Sequence, residues 1–284
     1  MKWTVMTLVK RASEILSERG IPSPRLDAEL LMCCLLGWDN RVKIYTAYDR
    51  PLSAEEVEAY RQLIKRRVKG EPVAYITGEK EFFGFRFKVT PAVLIPRPET
   101  ELLVEKSVEL LKSMSKETLK IVDVGTGSGC IIISIAKLLK KDAEFFATDI
   151  SRKALDVAVE NAELHGCKVK FLKADLLEGV EGKFSAVVSN PPYIAYSDRR
   201  VESSVKMFEP SVALYAGKKG TEVIERLAFQ SFDKLEPEGF LAVEFGEGQS
   251  EKVRDIFERA GFSTIKIFKD LSGKDRIIVG FKKE

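Results

Sequence analysis

The chain has a single histidine, His165, in 284 residues. That scarcity excludes a histidine-based catalytic triad and any metal centre built on several imidazoles. His165 stands just before Gly166 at the end of a helical pattern, the place of a C-terminal helix residue rather than of a catalyst. Cysteines are also few. Cys33, Cys34, Cys130 and Cys167 lack metal-ligand spacing and sit in apolar or helical surroundings, which reads as buried free thiols, and no metal site is expected. No run of about 18 apolar residues exists, so no membrane span is expected. The start, Met1-Lys2-Trp3-Thr4, carries no apolar signal core, and a cytoplasmic location is expected. An excess of one charge is missing too: 46 basic and 43 acidic residues leave a net charge of +3. That is too balanced for a nucleic-acid coat or a membrane-surface patch, so neither membrane nor direct nucleic-acid partners are expected. Internal repeats and low-complexity segments are absent.

What is present is an ordinary globular composition, 45% hydrophobic and 31% charged, long enough for a main domain and a smaller one. Residues 1–78 read as a small helical bundle. One helix begins near Thr7 and stops at Gly20. A second opens with Ser23-Pro24, cap then first-turn proline, and ends at Gly37. A short helix fits Val42 to Ala47. Another opens at Ser53 with Glu56 three residues on, a capping box, and closes at Gly70. The basic run Lys65-Arg66-Arg67-Val68-Lys69 suits that helix's C-terminal dipole, with docking of an acidic partner as the sharper alternative. Residues 79–95 read as a hairpin linker, aromatic and partly alternating. In 96–284, Pro98, Glu99 and Glu101 make a helix start, and Arg97 or Glu99 is placed to reach a ligand beneath it.

From residue 119 onward strand and helix patterns alternate, which predicts a doubly wound, mostly parallel sheet of seven strands ending in an antiparallel hairpin. The first strand, Leu119 to Val124, runs into Gly125-Thr126-Gly127-Ser128-Gly129 and then an apolar helix. Glycines there let the backbone turn sharply and approach a ligand. The next strand ends in Asp149, placed to bind ribose hydroxyls, and the third ends at Asp175, placed to meet an adenine edge. These ends share one side of the sheet, where open α/β folds bind ligands. A dinucleotide fingerprint would want glycine at 130, where the chain has Cys130. Asp123, just before the glycines, is ill placed beside a pyrophosphate and suits a cofactor with a cationic amino-acid end, which favours S-adenosylmethionine. Residues 194–220 show no clear periodicity, and a stretch that long reads as a functional lid.

The fourth strand, Phe184 to Val188, leads into Asn190-Pro191-Pro192-Tyr193. Two consecutive prolines remove two N–H donors and force the chain out of the sheet. The turn then holds one amide side chain, one free carbonyl and one aromatic ring. That trio suits a flat NH2 group: two acceptors take its two N–H bonds while a ring covers its face. Alone, Pro-Pro-Tyr is equally an ordinary strand-ending turn. In series with Asp123, Asp149 and Asp175 it points to amine methylation.

The chain resembles the class I S-adenosylmethionine-dependent methyltransferases, and more narrowly the bacterial protein-(glutamine-N5) methyltransferases of peptide chain release factors. The resemblance rests on Leu94-Ile95-Pro96-Arg97-Pro98-Glu99-Thr100-Glu101, Asp123 to Gly129, Asn190 to Ile194, Glu209-Pro210, Glu244-Phe245-Gly246 with Gln249, and Asp275-Arg276. It implies a cofactor site of Asp123, Gly125, Thr126, Gly127, Ser128, Gly129, Asp149, Ile150, Asp175, Leu176 and Asn190. It implies catalysis at Asn190, Pro191 and Tyr193, with Pro192, Arg97 and Glu99 also against the substrate. The implied substrate is the glutamine of the Gly-Gly-Gln motif in class 1 release factors, recognised through the helical N-terminal domain. Asn-Pro-Pro-Tyr is shared with adenine-N6 and cytosine-N4 DNA methyltransferases, which stand as the rival reading. A non-enzymatic partner-binding protein of the same fold is the third.

Overall fold

The computed structural model describes residues 2–283, which form two compact units, one up to Glu79 and one from Lys80 onward. The first unit is helical: α1 (Val5–Glu18), α2 (Pro24–Leu36), α3 (Val42–Thr46), α4 (Ala54–Val68) and α5 (Val73–Thr77). Local chemistry sets the boundaries. Thr4 and Ser53 each close a capping box, on α1 and α4, and left-handed Gly37 ends α2. Val5, Leu8, Leu16, Leu31, Met32 and Tyr60 bury its core, with the Tyr60 hydroxyl donating to the Ala28 carbonyl at 2.7 Å. Part of the basic run is engaged inside this unit: Arg67 pairs with Asp27 at 2.7 Å and Arg66 with Glu71 at 2.5 Å. Of the four thiols, Cys33 and Cys130 are buried, Cys167 is half-buried and Cys34 is exposed, which corrects the expectation that all four are buried.

The second unit opens with the hairpin of β1 (Glu79–Phe82), whose first residue closes the first unit, and β2 (Phe85–Lys88). It continues through α6 (Glu101–Ser113), β3 (Leu119–Val124), α7 (Cys130–Leu138), β4 (Ala143–Asp149), α8 (Arg152–Leu164), β5 (Val169–Lys173) and β6 (Phe184–Ser189). The stretch expected to lack regular structure contains β7 (Ile194–Ala195), α9 (Ser203–Phe208), α10 (Ser211–Leu214) and β8 (Tyr215–Gly217). Its helices span six and four residues, too few to show a 3.6-residue period. Then come α11 (Glu222–Lys234), β9 (Leu235–Glu244), α12 (Ser250–Ala260), β10 (Thr264–Lys269) and β11 (Asp275–Phe281).

Seven strands make one sheet in the order β10-β11-β9-β6-β3-β4-β5. The pairs β6–β9, β3–β6, β3–β4 and β4–β5 are parallel; β11 is antiparallel to both neighbours. The fold is therefore α/β, as expected. Alternate residues of β3 serve the two faces: Ile121 packs with Leu103, Val104 and Ile132, and Val122 with Ile224, Leu227 and Val253. After β5 the chain returns across β3 to lay down β6. The order thus reverses between β3 and β6, and a crevice opens at the carboxyl ends of these two strands. Among the described residues no helix is long and apolar enough to cross a membrane.

Candidate active site

The loop after β3 is shaped by three glycines in left-handed conformation, Gly125, Gly127 and Gly129, with φ of 71°, 56° and 80°. Gly129 has a second reason to lack a side chain. A Cβ there would lie 3.0 Å from Ile133 Cδ1 and 3.3 Å from Ala158 Cβ, so the glycine lets α8 press against the loop. Asn161 of α8 fixes it from below. This fully buried amide donates to the Ser128 carbonyl at 2.8 Å and exchanges hydrogen bonds with the Lys88 backbone.

A cavity of 260 Å³ lies over the loop. Gly125, Thr126, Gly127, Ser128, Asp149, Ile150, Asp175 and Leu176 line it, with Arg97, Thr100, Asn190 and Pro192 at its other end. Asp149 is anchored by two backbone donors, Gly127 N–H on Oδ2 at 2.9 Å and Ser151 N–H on Oδ1 at 2.8 Å. Burial raises its pKa, and these donors pull it back. Each oxygen keeps acceptor capacity toward the cavity. Ile150 is half exposed on the wall, and Leu176 reaches it from a left-handed backbone with φ of 57°, a costly conformation for a branched residue. Asp175 does not stand alone: Arg226 pairs with its Oδ2 at 2.7 Å.

Asp123 and Gly129 lie beneath this wall. Asp123 is completely buried. It accepts from the Thr126 hydroxyl at 2.6 Å, and its Oδ1 has no hydrogen-bond partner among the described residues. Burial drives its pKa up to about 7, the Thr126 bond and the Ile132 N–H oppose that, and the charge of Asp149 adds to it.

A second, wider cleft of 950 Å³ opens on the far side of the turn after β6. Pro191, Tyr193 and Glu99 line it, and Asn190, Arg97, Leu94 and Ala213 face both cavities. Asn190 thus stands on the wall between them. Its Nδ2 donates to Thr100 Oγ1 at 3.0 Å, which leaves Oδ1 as the amide's uncommitted acceptor. Thr100 donates in turn to Glu244 Oε2 at 2.6 Å, and the Tyr193 hydroxyl donates to Glu244 Oε1 at 3.2 Å. Burial pushes the Glu244 carboxyl up to about 7, with these two hydroxyls and Arg276 resisting. The Tyr193 phenol is raised by burial, then by the nearby Glu244 charge. Gln249 staples the turn, donating to the Tyr193 carbonyl at 2.9 Å and accepting from Gly246 N–H at 2.9 Å. Arg97 is held by the buried Glu209 at 2.5 Å, and Glu209 also accepts from Ile95 N–H at 3.2 Å.

Thr100, Glu209, Glu244 and Gln249 stand in the motifs that carry the family resemblance without a stated role, and Asn161 is not singled out in the sequence at all. The available signal was a polar residue closing an apolar run, as Glu244 closes Phe240 to Val243.

The family model for the PrmC N-terminal domain matches residues 7–78, and the one for the methyltransferase small domain matches residues 104–221. A release factor glutamine methyltransferase of Koribacter versatilis is 42% identical over 264 residues, covering 92% of each chain. One of Geobacter sulfurreducens is 38% identical over 280 residues, covering 98% of this chain and 96% of that one. A methyltransferase structure from Pyrococcus furiosus shares the fold, with a TM-score of 0.53 at 21% identity over 79% of this chain and 98% of that one. With relatives 38–42% identical aligned along nearly its whole length, the chain belongs to the release factor glutamine methyltransferase family.

Proposed function

We propose that the chain methylates the side-chain amide nitrogen, N5, of the glutamine in the Gly-Gly-Gln motif of class 1 peptide chain release factors, with S-adenosylmethionine as donor. The observation that carries this reading is Asn190, an amide with an uncommitted oxygen that stands on the wall between a smaller cavity and an open cleft.

The residues present fit the cofactor. Asp149, oriented by two backbone N–H groups, is set to accept from both ribose hydroxyls. Ile150 and Leu176 offer apolar faces to an adenine ring, and Asp175 stands beside them. Gly125 to Ser128 form the floor on which the amino-acid end rests. Asp123 acts from beneath this floor, its unpaired Oδ1 supplying negative potential rather than direct contact. Bound there, S-adenosylmethionine supplies a methyl group on a positively charged sulfur.

An amide nitrogen is a poor nucleophile because its lone pair is delocalised into the carbonyl. In this reading Asn190 Oδ1 and the Pro191 carbonyl accept the two N–H bonds and aim the nitrogen into the first cavity. Tyr193 covers the amide face and excludes water, while Pro192, Arg97 and Glu99 bound the opening. Such positioning can supply about 7–11 kcal/mol of a barrier. The residues that recognise the release factor are assigned to the helical N-terminal unit.

The test is transfer of isotopic methyl from S-adenosylmethionine to a purified class 1 release factor or to DNA, with the modified residue located by mass spectrometry. Label on the Gly-Gly-Gln glutamine supports the proposal. Label on adenine or cytosine, or on neither substrate, refutes it.

A further inference from the structure

We propose that Thr100 and Glu244 are positioning residues that fix which way the Asn190 amide faces, and thereby make the site choose an NH2 group over a carboxylate. The inference rests on the functional reading above and extends it to the origin of specificity.

A threonine hydroxyl has one proton to give and can accept twice. Thr100 is buried, and its proton is committed to Glu244 Oε2 at 2.6 Å. Toward Asn190, 3.0 Å away, it can therefore only accept, so the Asn190 NH2 must turn to it and Oδ1 must face outward. Glu244 is itself buried, and its second oxygen is occupied by the Tyr193 hydroxyl at 3.2 Å. One carboxylate thus sets both side chains of the turn. Three separate segments supply this chain of donors: the turn before α6, the end of β9 and the exit of β6.

The consequence concerns the substrate. With Oδ1 uncommitted and the Pro191 carbonyl next in the chain on the wall of the cleft, the site offers two acceptors in this reading. A glutamine amide satisfies both; a glutamate carboxylate would face two like dipoles with nothing to donate. An Asn190 amide turned the other way would present NH2 and lose that preference.

The experiment uses the intact protein with a release factor as substrate and the same factor carrying glutamate in its Gly-Gly-Gln motif as competitive inhibitor. Assays are run at pH 8, on the ionised side of the value of about 7 to which burial raises the Glu244 carboxyl; Arg276 and Glu99 are the other charged groups acting on it. Thr100→Val removes the acceptor, and the ratio of glutamate-factor Ki to glutamine-factor KM should fall about tenfold, the size of one lost hydrogen bond. Thr100→Ser, which keeps the hydroxyl, should restore the wild-type ratio. Glu244→Met frees the Thr100 proton and should narrow the ratio in the same direction; because Glu244 lines neither cavity, cofactor Kd should hold while kcat falls. A purely structural role would weaken both factors alike and leave the ratio unchanged. That result in Thr100→Val, with wild type active, overturns the inference alone. A wild type that leaves the release factor unmethylated overturns the functional reading and the inference together.

Discussion

Replacing Asp123 by asparagine turns the buried end of β3 into a probe of how the floor of the site is charged. The side chain is wholly buried, accepts from the Thr126 hydroxyl, lies by the Ile132 N–H and has no hydrogen-bond partner on Oδ1. Its pKa rises from 3.8 to about 7, chiefly through burial. The sign follows from linkage. A carboxyl whose folded pKa lies above its unfolded one favours folding fully only below the unfolded value, and that contribution is lost as pH rises through the folded value. The rise from 3.8 to about 7, at about 1.4 kcal/mol per tenfold change in proton affinity, makes the whole swing about 4 kcal/mol. Between pH 5 and pH 8 wild type should lose about 3 kcal/mol relative to Asp123→Asn, which has the same shape and no charge to bury. Groups not coupled to Asp123 titrate alike in both proteins and cancel; Asp149, whose charge acts on Asp123, is a minor contribution. Both tryptophans, Trp3 and Trp38, lie in the first unit, so urea unfolding should be followed by far-UV circular dichroism. A stability gap that stays constant from pH 5 to pH 8 would mean that Asp123 is ionised and paired throughout, and the account of the loop floor would be wrong.

Four further substitutions probe the neighbouring parts. Gly129→Ala forces a side chain into a left-handed backbone at 3.0 Å from Ile133 Cδ1; denaturant titration should show a loss of about 1–2 kcal/mol or more, and calorimetry weaker cofactor binding. Arg97→Met strips the counter-charge from Glu209, whose side chain is 1% exposed, and should cost about 3 kcal/mol by the same titration. Adding Glu209→Gln should recover most of that loss, and a double variant no more stable than Arg97→Met would contradict the pairing. Asn190→Ala should lower kcat by at least about a hundredfold while cofactor Kd stays within a few-fold; equal losses in both would remove Asn190 from its role.

The parts legible in the sequence are those whose chemistry is local. The glycine loop, the acid ending β4 and the double proline after β6 each announce themselves within a few residues, and strand-helix alternation fixes which side of the sheet they share. What escaped depends on distance along the chain. Thr100 meets Glu244 across 144 positions and Arg97 meets Glu209 across 112, so no window of sequence shows either pair. Asp123 suits a cofactor with a cationic amino-acid end; its bond to the Thr126 hydroxyl depends on how the loop folds back and has no signature in the sequence. Asp175 was expected to face an adenine edge; it lines the cavity, yet Arg226 holds one of its oxygens. The segment 194–220 read as irregular because its helices are shorter than the period that would reveal them.

The central claim is that two oxygens at one strand end hold a planar amide nitrogen against the cofactor cavity. A crystal structure with S-adenosylhomocysteine and a Gly-Gly-Gln peptide tests it most directly. The account predicts the glutamine nitrogen at about 3 Å from both Asn190 Oδ1 and the Pro191 carbonyl, with the homocysteine sulfur facing it. A glutamine amide bound elsewhere in the cleft, or a sulfur turned away from Asn190, would contradict it.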